Sequence, residues 1–279
     1  ICKANDLCNR YGLDTMSTGS VIAFAMEAFE KGLITTADTD GIELRWGSGE
    51  ALVEMTKKIG LRQGIGELMG EGVMRMAGAL GRNAVEFAMH VKGLEFSAHD
   101  PRRFWTQAIS YGTAARGACH NASWSHPYEL ALFMSEIGID KPHPSCQVEG
   151  TAEVAAKMQT YQTMNDTLIL CRFTQVGKAV TATNIVDWYN MITGRQADIG
   201  ELMTIGERIF NLKRLFNTRL GVSRKDDFLP PRFLTHNRKG EGITTQLPPM
   251  GRLLADYYEY RGWSEEGLPT PEKLRQLGL

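Results

Sequence analysis

Residues 199–220 read IGELMTIGERIFNLKRLFNTRL, and along them Ile199, Leu202, Ile205, Ile209, Leu212 and Phe216 recur at three- and four-residue steps before Gly221. That spacing is the period of an α-helix with one apolar face, and a glycine just past the end suits a left-handed cap. The same period runs through most of the chain. Ala4, Leu7, Cys8 and Tyr11 form one stripe, closed by Gly12. Val21, Phe24, Ala25, Ala28 and Phe29 form the next, capped by Ser17 or Thr18 and stopped at Gly32. Further helices are predicted over 48–60, 102–111, 126–134, 151–173, 182–192, 251–260 and 271–277. Repeated glycines between 60 and 82 point to close backbone packing. Residues 35–46 are turn-rich, 227–247 read as a long loop, and strand-like alternation is almost absent. The chain is predicted to be all-α and multihelical, in two helical lobes, 1–93 and 94–279.

With 279 residues, 43% of them hydrophobic, the chain has ample material for cores, which excludes disorder and a disulfide-dependent mini-protein. Lys and Arg number 31 against 32 Asp and Glu, whereas a dedicated nucleic-acid binder carries a basic excess. The longest apolar stretch, 21–29, is broken by Glu27 and falls far short of the roughly 18 residues a membrane span needs. No signal peptide is visible. The opening Ile1-Cys2-Lys3-Ala4 lacks a methionine and lies inside a predicted helix, so the chain reads as a piece of a longer protein. Cys2, Cys8, Cys119, Cys146 and Cys171 are an odd set with wide gaps and no C-x-x-C. That pattern argues against a disulfide framework and against a self-contained metal site, and favours a reducing, cytoplasmic setting.

Three segments hold residue types suited to chemistry. In Asn9-Arg10-Tyr11-Gly12-Leu13-Asp14 one helix ends and another begins within a few residues. Such a junction turns backbone N–H groups and polar side chains into one space, a perch for a polar ring or phosphate. An ordinary cap with a solvated Asp14 is the plainer alternative. Residues 111–121 are mostly small, with Arg116, Gly117, Cys119 and His120 among them. Small side chains let a bulky ligand approach the backbone, and an imidazole there moves protons near neutral pH. A satisfied core histidine is the alternative. In 166–171, Asp166 stands five residues before Cys171 in an otherwise apolar run ending at Leu170. A metal facing the thiol would offset the cost of burying them; a capping aspartate and a buried thiol are the duller reading. His126, His143 and His236 read as surface residues, 224–227 as a solvated loop, and Tyr257, Tyr258, Tyr260 and Trp263 as core packing rather than a partner surface.

Taken together, these segments resemble the tungsten-containing aldehyde ferredoxin oxidoreductases. The resemblance is carried by NRYGLDTMSTG at 9–19, IAFAMEAFEKG at 22–32, VKGLEFSAHDPR at 91–102 and GTAARGACH at 112–120. It continues through GERIFNLKRLFNTRLGVSRKDDFLPPR at 206–232 and YRGWSEEGLPTPEKLRQLGL at 260–279. It runs in order over the whole chain and implies the family's domains 2 and 3, the first truncated at its N-terminus, with a β-rich N-terminal domain missing upstream.

The family holds tungsten, or molybdenum, through two pterin dithiolenes beside one [4Fe–4S] cluster. It oxidises small aldehydes to carboxylic acids and passes two electrons to ferredoxin or another carrier. The resemblance implies two D-x-x-G-L-(D/C) loops that grip the pterins. Asn9, Gly12, Leu13 and Asp14 match the first, with asparagine in place of aspartate. Asp166, Leu170 and Cys171 match the second, with Ile169 in the glycine position, where a β-branched residue resists a positive φ. Cys171 matches the cysteine that ligates the cluster, and Arg116 and Gly117 fall in the cofactor-facing segment. His120 matches the histidine near the metal. The family's other three cluster cysteines lie upstream, and neither Cys2 nor Cys8 fits them, so this piece is expected to be inactive alone, its cofactors incomplete or absent. The three loops are expected to wall one cavity. A homodimer is also implied. Two rivals stand beside this reading: the tungsten subunit of a benzoyl-CoA reductase, and a cofactor-free helical interaction module.

Overall fold

The computed structural model describes residues 1–238 and 245–279. The chain is all-α and multihelical. Twelve α-helices occur among the described residues: α1 (Cys2–Tyr11), α2 (Thr15–Glu30), α3 (Gly49–Leu61), α4 (Ile65–Met69), α5 (Val73–Leu80), α6 (Trp105–Thr113), α7 (Thr151–Thr167), α8 (Ala182–Thr193), α9 (Ile199–Arg219), α10 (Pro231–Thr235), α11 (Met250–Arg261) and α12 (Pro271–Leu277). A two-stranded antiparallel ribbon, β1 (His90–Val91) and β2 (Leu94–Glu95), interrupts them. Lys92 and Gly93 between the strands both have positive φ, as a tight type I′ hairpin requires. No described helix is long and apolar enough to cross a membrane. The chain divides into two compact units. The first holds Ile1–Ala98, Arg116–Cys119 and Leu229–Arg232; the second holds His99–Ala115, His120–Phe228 and Phe233–Leu279.

In the first unit, Gly12 closes α1 in the left-handed region with φ 69°. The cap of α2 is Asp14, whose Oδ1 accepts from the Ser17 N–H at 2.8 Å, so the helix begins earlier than a Ser17 or Thr18 cap would allow. Val21, Ile22, Phe24, Ala25 and Ala28 of α2 pack with Met55 and Ile59 of α3 and Met76 and Ala77 of α5. The glycine-rich stretch does bring backbones together: a Cβ on Gly66 would collide with the Lys58 carbonyl. Gly72 offers α5 no side-chain cap, and Glu95 on the ribbon supplies one by accepting the Val73 N–H at 2.7 Å. Arg232 completes this unit, its guanidinium making two hydrogen bonds, 2.9 and 2.6 Å, to the Glu27 carboxylate. That pairing holds the Glu27 carboxyl below its ordinary range.

The second unit is built around α7, which is buried on nearly every side and packs on α6, α9 and α11. α9 forms where its periodicity predicts, but a different face points inward. Leu202, Gly206, Phe210, Asn211 and Arg214 are buried, whereas Leu212 and Phe216 are exposed. The rotation is set by polar partners. Asn211 Oδ1 accepts from Trp263 Nε1 at 2.7 Å, and Arg214 pairs with the buried Asp227 at 2.8 Å. Asp227 is thus no part of a solvated loop. Tyr257, Tyr258 and Trp263 are core residues, and Tyr260 is half exposed. The Arg261 guanidinium, wholly buried, bonds Glu207, Thr160, Gln159, Tyr257 and the Ala156 carbonyl.

Several boundaries differ from the sequence reading. The predicted helix over 126–134 is only a 3₁₀ turn, His126–Glu129, because the Met134 N–H turns back to the Ile139 carbonyl around left-handed Gly138. α7 stops at Thr167, and a 3₁₀ turn, Arg172–Lys178, follows. α6 starts at Trp105 rather than 102, since Asp100 ties down the Arg102 N–H and guanidinium. The loop predicted over 227–247 contains α10, and its residues 239–244 lie outside the described residues.

Candidate functional site

α6 and α7 position the segment that carries His120. Thr113, at the end of α6, accepts a hydrogen bond from Gln159 of α7 at 3.0 Å, and Asn217 of α9 donates to the Ala115 carbonyl at 2.6 Å. Arg116–Cys119 then join the first unit, with Arg116 exposed and Ala118 and Cys119 buried. Gly117 has φ 102°, and a Cβ there would overlap the Val91 carbonyl oxygen, so only glycine fits against the ribbon. His120 opens a 3₁₀ turn, His120–Ala122, of the second unit and is half-buried. Its carbonyl accepts from the Trp124 N–H at 2.9 Å and from Gln107 at 3.4 Å.

Around His120 the second unit gathers two more histidines. The His99 ring stacks on His120 with centroids 5.0 Å apart and planes 17° from parallel, and its centroid is 3.9 Å from that of His126. His126 is 9% exposed, edged by Phe104 and Trp124, and its Nδ1 has no hydrogen-bond partner. Burial, reinforced by the neighbouring imidazoles, pushes its pKa down to about 3, so this ring is neutral at physiological pH. His126 and His143 are therefore buried residues, while His236 is exposed as its basic surroundings suggest. Pro127 beside it makes His126 read as a surface residue in the sequence, yet the rings of Phe104 and Trp124 enclose it. His143 turns inward because its Nε2 bonds the buried Thr151 hydroxyl at 2.7 Å. One turn beyond His126, the buried Glu129 accepts from the Thr106 N–H and hydroxyl at 2.7 and 2.6 Å, capping α6 from outside the helix. Burial outweighs those bonds and raises its carboxyl pKa to about 7.

The end of α7 presents the second loop. Leu170 N–H bonds the Asn165 carbonyl at 2.9 Å, and Leu168 N–H bonds that of Met164 at 3.0 Å. This closure forces the intervening Ile169 to φ 58°, with its side chain 92% exposed. Isoleucine thus adopts the conformation that the glycine of the motif would supply. Asp166 is held by Arg172 at 2.7 Å, and Arg172 also reaches Gln162 at 2.5 Å. Cys171, between them, is exposed. Phe173 meets Trp124 edge-on at 6.5 Å, and Trp124 meets His126 at 6.0 Å, so a chain of rings joins the Cys171 loop to the histidine stack within one unit.

In the first unit, Asn9, Gly12 and Asp14 are exposed and Leu13 packs against the core. Among the described residues no group of three or more His, Cys, Asp or Glu side chains is arranged to hold a metal ion. The donor chemistry at Cys171 is one accessible thiol, which fits a single corner of a thiolate-held cluster and no more. Cys2 is likewise exposed, Cys146 is half-buried, and Cys8 and Cys119 are buried. Sequence reasoning missed His99, Glu129 and Gln107. His99 lay in a quoted stretch, but nothing local announced its neighbours.

The family model "Aldehyde ferredoxin oxidoreductase, domains 2 & 3" matches residues 1–279. The tungsten-containing aldehyde ferredoxin oxidoreductase of Pyrococcus furiosus is 35% identical over the whole chain, and that of Thermococcus kodakarensis 34%; each alignment covers 45% of the relative. A Pyrococcus furiosus "Aliphatic sulfonate oxidoreductase, WOR-like subunit" is 30% identical over 98% of the chain and 41% of its own length. The chain therefore spans a little under half the length of the relatives it matches. The active-site complex BamBC of benzoyl coenzyme A reductase shares the fold, with a TM-score of 0.71 at 22% identity over 98% of this chain and 45% of that one.

Proposed function

The chain belongs to the aldehyde ferredoxin oxidoreductase family, and on that premise we propose that the protein it comes from oxidises small aldehydes to carboxylic acids, with ferredoxin as electron acceptor. The observation that carries this reading is the single unit that presents the accessible Cys171 thiol and the half-buried His120 on segments joined by Phe173, Trp124 and His126. Identity favours the aldehyde enzymes over the sulfonate relative.

Cys171 would supply one thiolate of a [4Fe–4S] cluster. The Asp166 and Leu170 turn, with the loop of Asn9, Gly12, Leu13 and Asp14, would contact the two pterins. Arg116 is an exposed cation suited to pterin phosphate, and Gly117 keeps that segment's backbone close. Such a tungsten or molybdenum centre and cluster would supply the two-electron redox chemistry that the oxidation needs. This chain's part is proton handling. His120 would hydrogen-bond the carbonyl oxygen and take a proton from water as its oxygen adds to the carbon. Aldehyde plus water gives carboxylic acid, two protons and two electrons. With one cluster thiolate of its own, the chain by itself is proposed to be silent and to act with a further N-terminal domain, in the cytoplasm, as a homodimer.

The test is turnover by the full-length, cofactor-loaded protein, followed by reduction of a viologen dye for the aldehydes and the sulfonate and by oxidation of the reduced dye for the thioester. Simple aldehydes should be oxidised, while an aliphatic sulfonate and an aryl-CoA thioester should not be turned over. His120→Ala should cut aldehyde turnover by about 10²- to 10⁴-fold at unchanged tungsten content. Turnover of the sulfonate or thioester alone would refute the substrate assignment, and undiminished turnover in His120→Ala would remove His120 from the role.

A further inference from the structure

We propose that His99 is a positioning residue for His120, its ring covering one face of that imidazole and fixing the direction in which the His120 nitrogens act. The proposal rests on the role given to His120 above. The two rings are nearly parallel with centroids 5.0 Å apart, a stacked pair. His99 is itself fixed: its carbonyl accepts from the buried Tyr111 hydroxyl of α6 at 3.0 Å, and its ring packs on His126. His126 is enclosed by Phe104 and Trp124, and as a neutral ring it puts no repelling charge beside His99. The backbone of His120 is pinned through its carbonyl by Trp124 and Gln107.

Rotation of a histidine ring about its outer side-chain torsion is a broad, soft coordinate, and a flat ring at stacking distance narrows it. Removing that face widens the range of orientations open to the His120 ring, and a misplacement of about 1 Å costs on the order of 10²-fold in rate.

The experiment uses the full-length, cofactor-loaded protein carrying His99→Ala or His99→Phe. Phenylalanine keeps a flat ring without nitrogens, and alanine removes the ring. Two readouts are taken: the rate at which diethyl pyrocarbonate modifies His120, followed by mass spectrometry of its peptide, and the steady-state constants. His99→Ala should speed modification of His120 and lower kcat by roughly 10- to 100-fold with little change in KM, and His99→Phe should restore both. A His99→Ala enzyme with wild-type modification rate and kcat would overturn the proposal, as would a folded His99→Phe that fails to rescue either. Should His99→Ala not fold, His99→Leu fills the volume without a flat face, and the same outcomes decide. If His120→Ala leaves turnover intact while modification of His120 still responds to His99, the functional reading falls and the clamp stands.

Discussion

Arg172 reaches back over the end of α7 to Asp166, its Nη2 lying 2.7 Å from Oδ1, while its Nη1 bonds Gln162 on the same helix. The strap brackets Cys171 and fixes the thiol's segment to a buried helix. Asp166 is half exposed, so the ion pair adds little to global stability, within about 1 kcal/mol. Arg172→Ala in the full-length protein should therefore melt close to wild type yet broaden or shift the cluster's electron paramagnetic resonance signal. Cys171→Ser should abolish or alter that signal outright. An unchanged spectrum in Cys171→Ser would count against the ligand assignment.

Ile169 carries a β-branched side chain in the left-handed region with almost none of it buried. Strain of this kind is of order 1–3 kcal/mol, and glycine adopts the same φ without it. Ile169→Gly should raise stability by about 1 kcal/mol after the greater entropy of glycine in the unfolded chain is counted. Urea denaturation read by circular dichroism measures this; a lower midpoint would show that the isoleucine is held by contacts.

Glu129 titrates near 7 in the folded state and near 4.5 when exposed, so the folded protein binds the extra proton. Its contribution is fully present below about pH 4.5 and is lost as pH rises through about 7. Glu129→Gln keeps an oxygen to accept from Thr106 and has no charge to bury. The variant's stability relative to wild type should climb between pH 5 and 7 and level off above about pH 8. Denaturation series at pH 5, 6, 7 and 8 give the difference curve, and a flat difference would mean that Glu129 stays ionised throughout.

Gly117→Ala must move the ribbon or its own backbone, because both φ and the Val91 carbonyl oppose a Cβ. A loss of several kcal/mol is expected. Limited proteolysis should show early cleavage near residues 90–95, and a wild-type melting curve would contradict the tight approach.

Helices were legible wherever apolar residues repeat, and α9 was found to within a residue. Its inward face was not, because Asn211 and Arg214 take core positions through Trp263 and Asp227, partners 52 and 13 residues away that lie outside the helix. The same limit hid Glu129, a cap supplied across 23 residues, and the burial of His126, whose proline neighbour suggested a surface position. The positive φ at Ile169 was resisted on propensity, but two backbone hydrogen bonds at the end of α7 override it. Local periodicity is written in neighbouring residues; polar pairing between distant segments is not.

The ion pair between Glu27 and Arg232 has a temporal side. During synthesis, residues 1–98 leave the ribosome well before Arg232 exists. At about 5–20 residues per second the delay is on the order of ten seconds. Throughout that wait the Glu27 carboxylate has Lys31 at 3.7 Å on its own helix but lacks the paired guanidinium, and a nascent chain released early would keep α2 without that second cation.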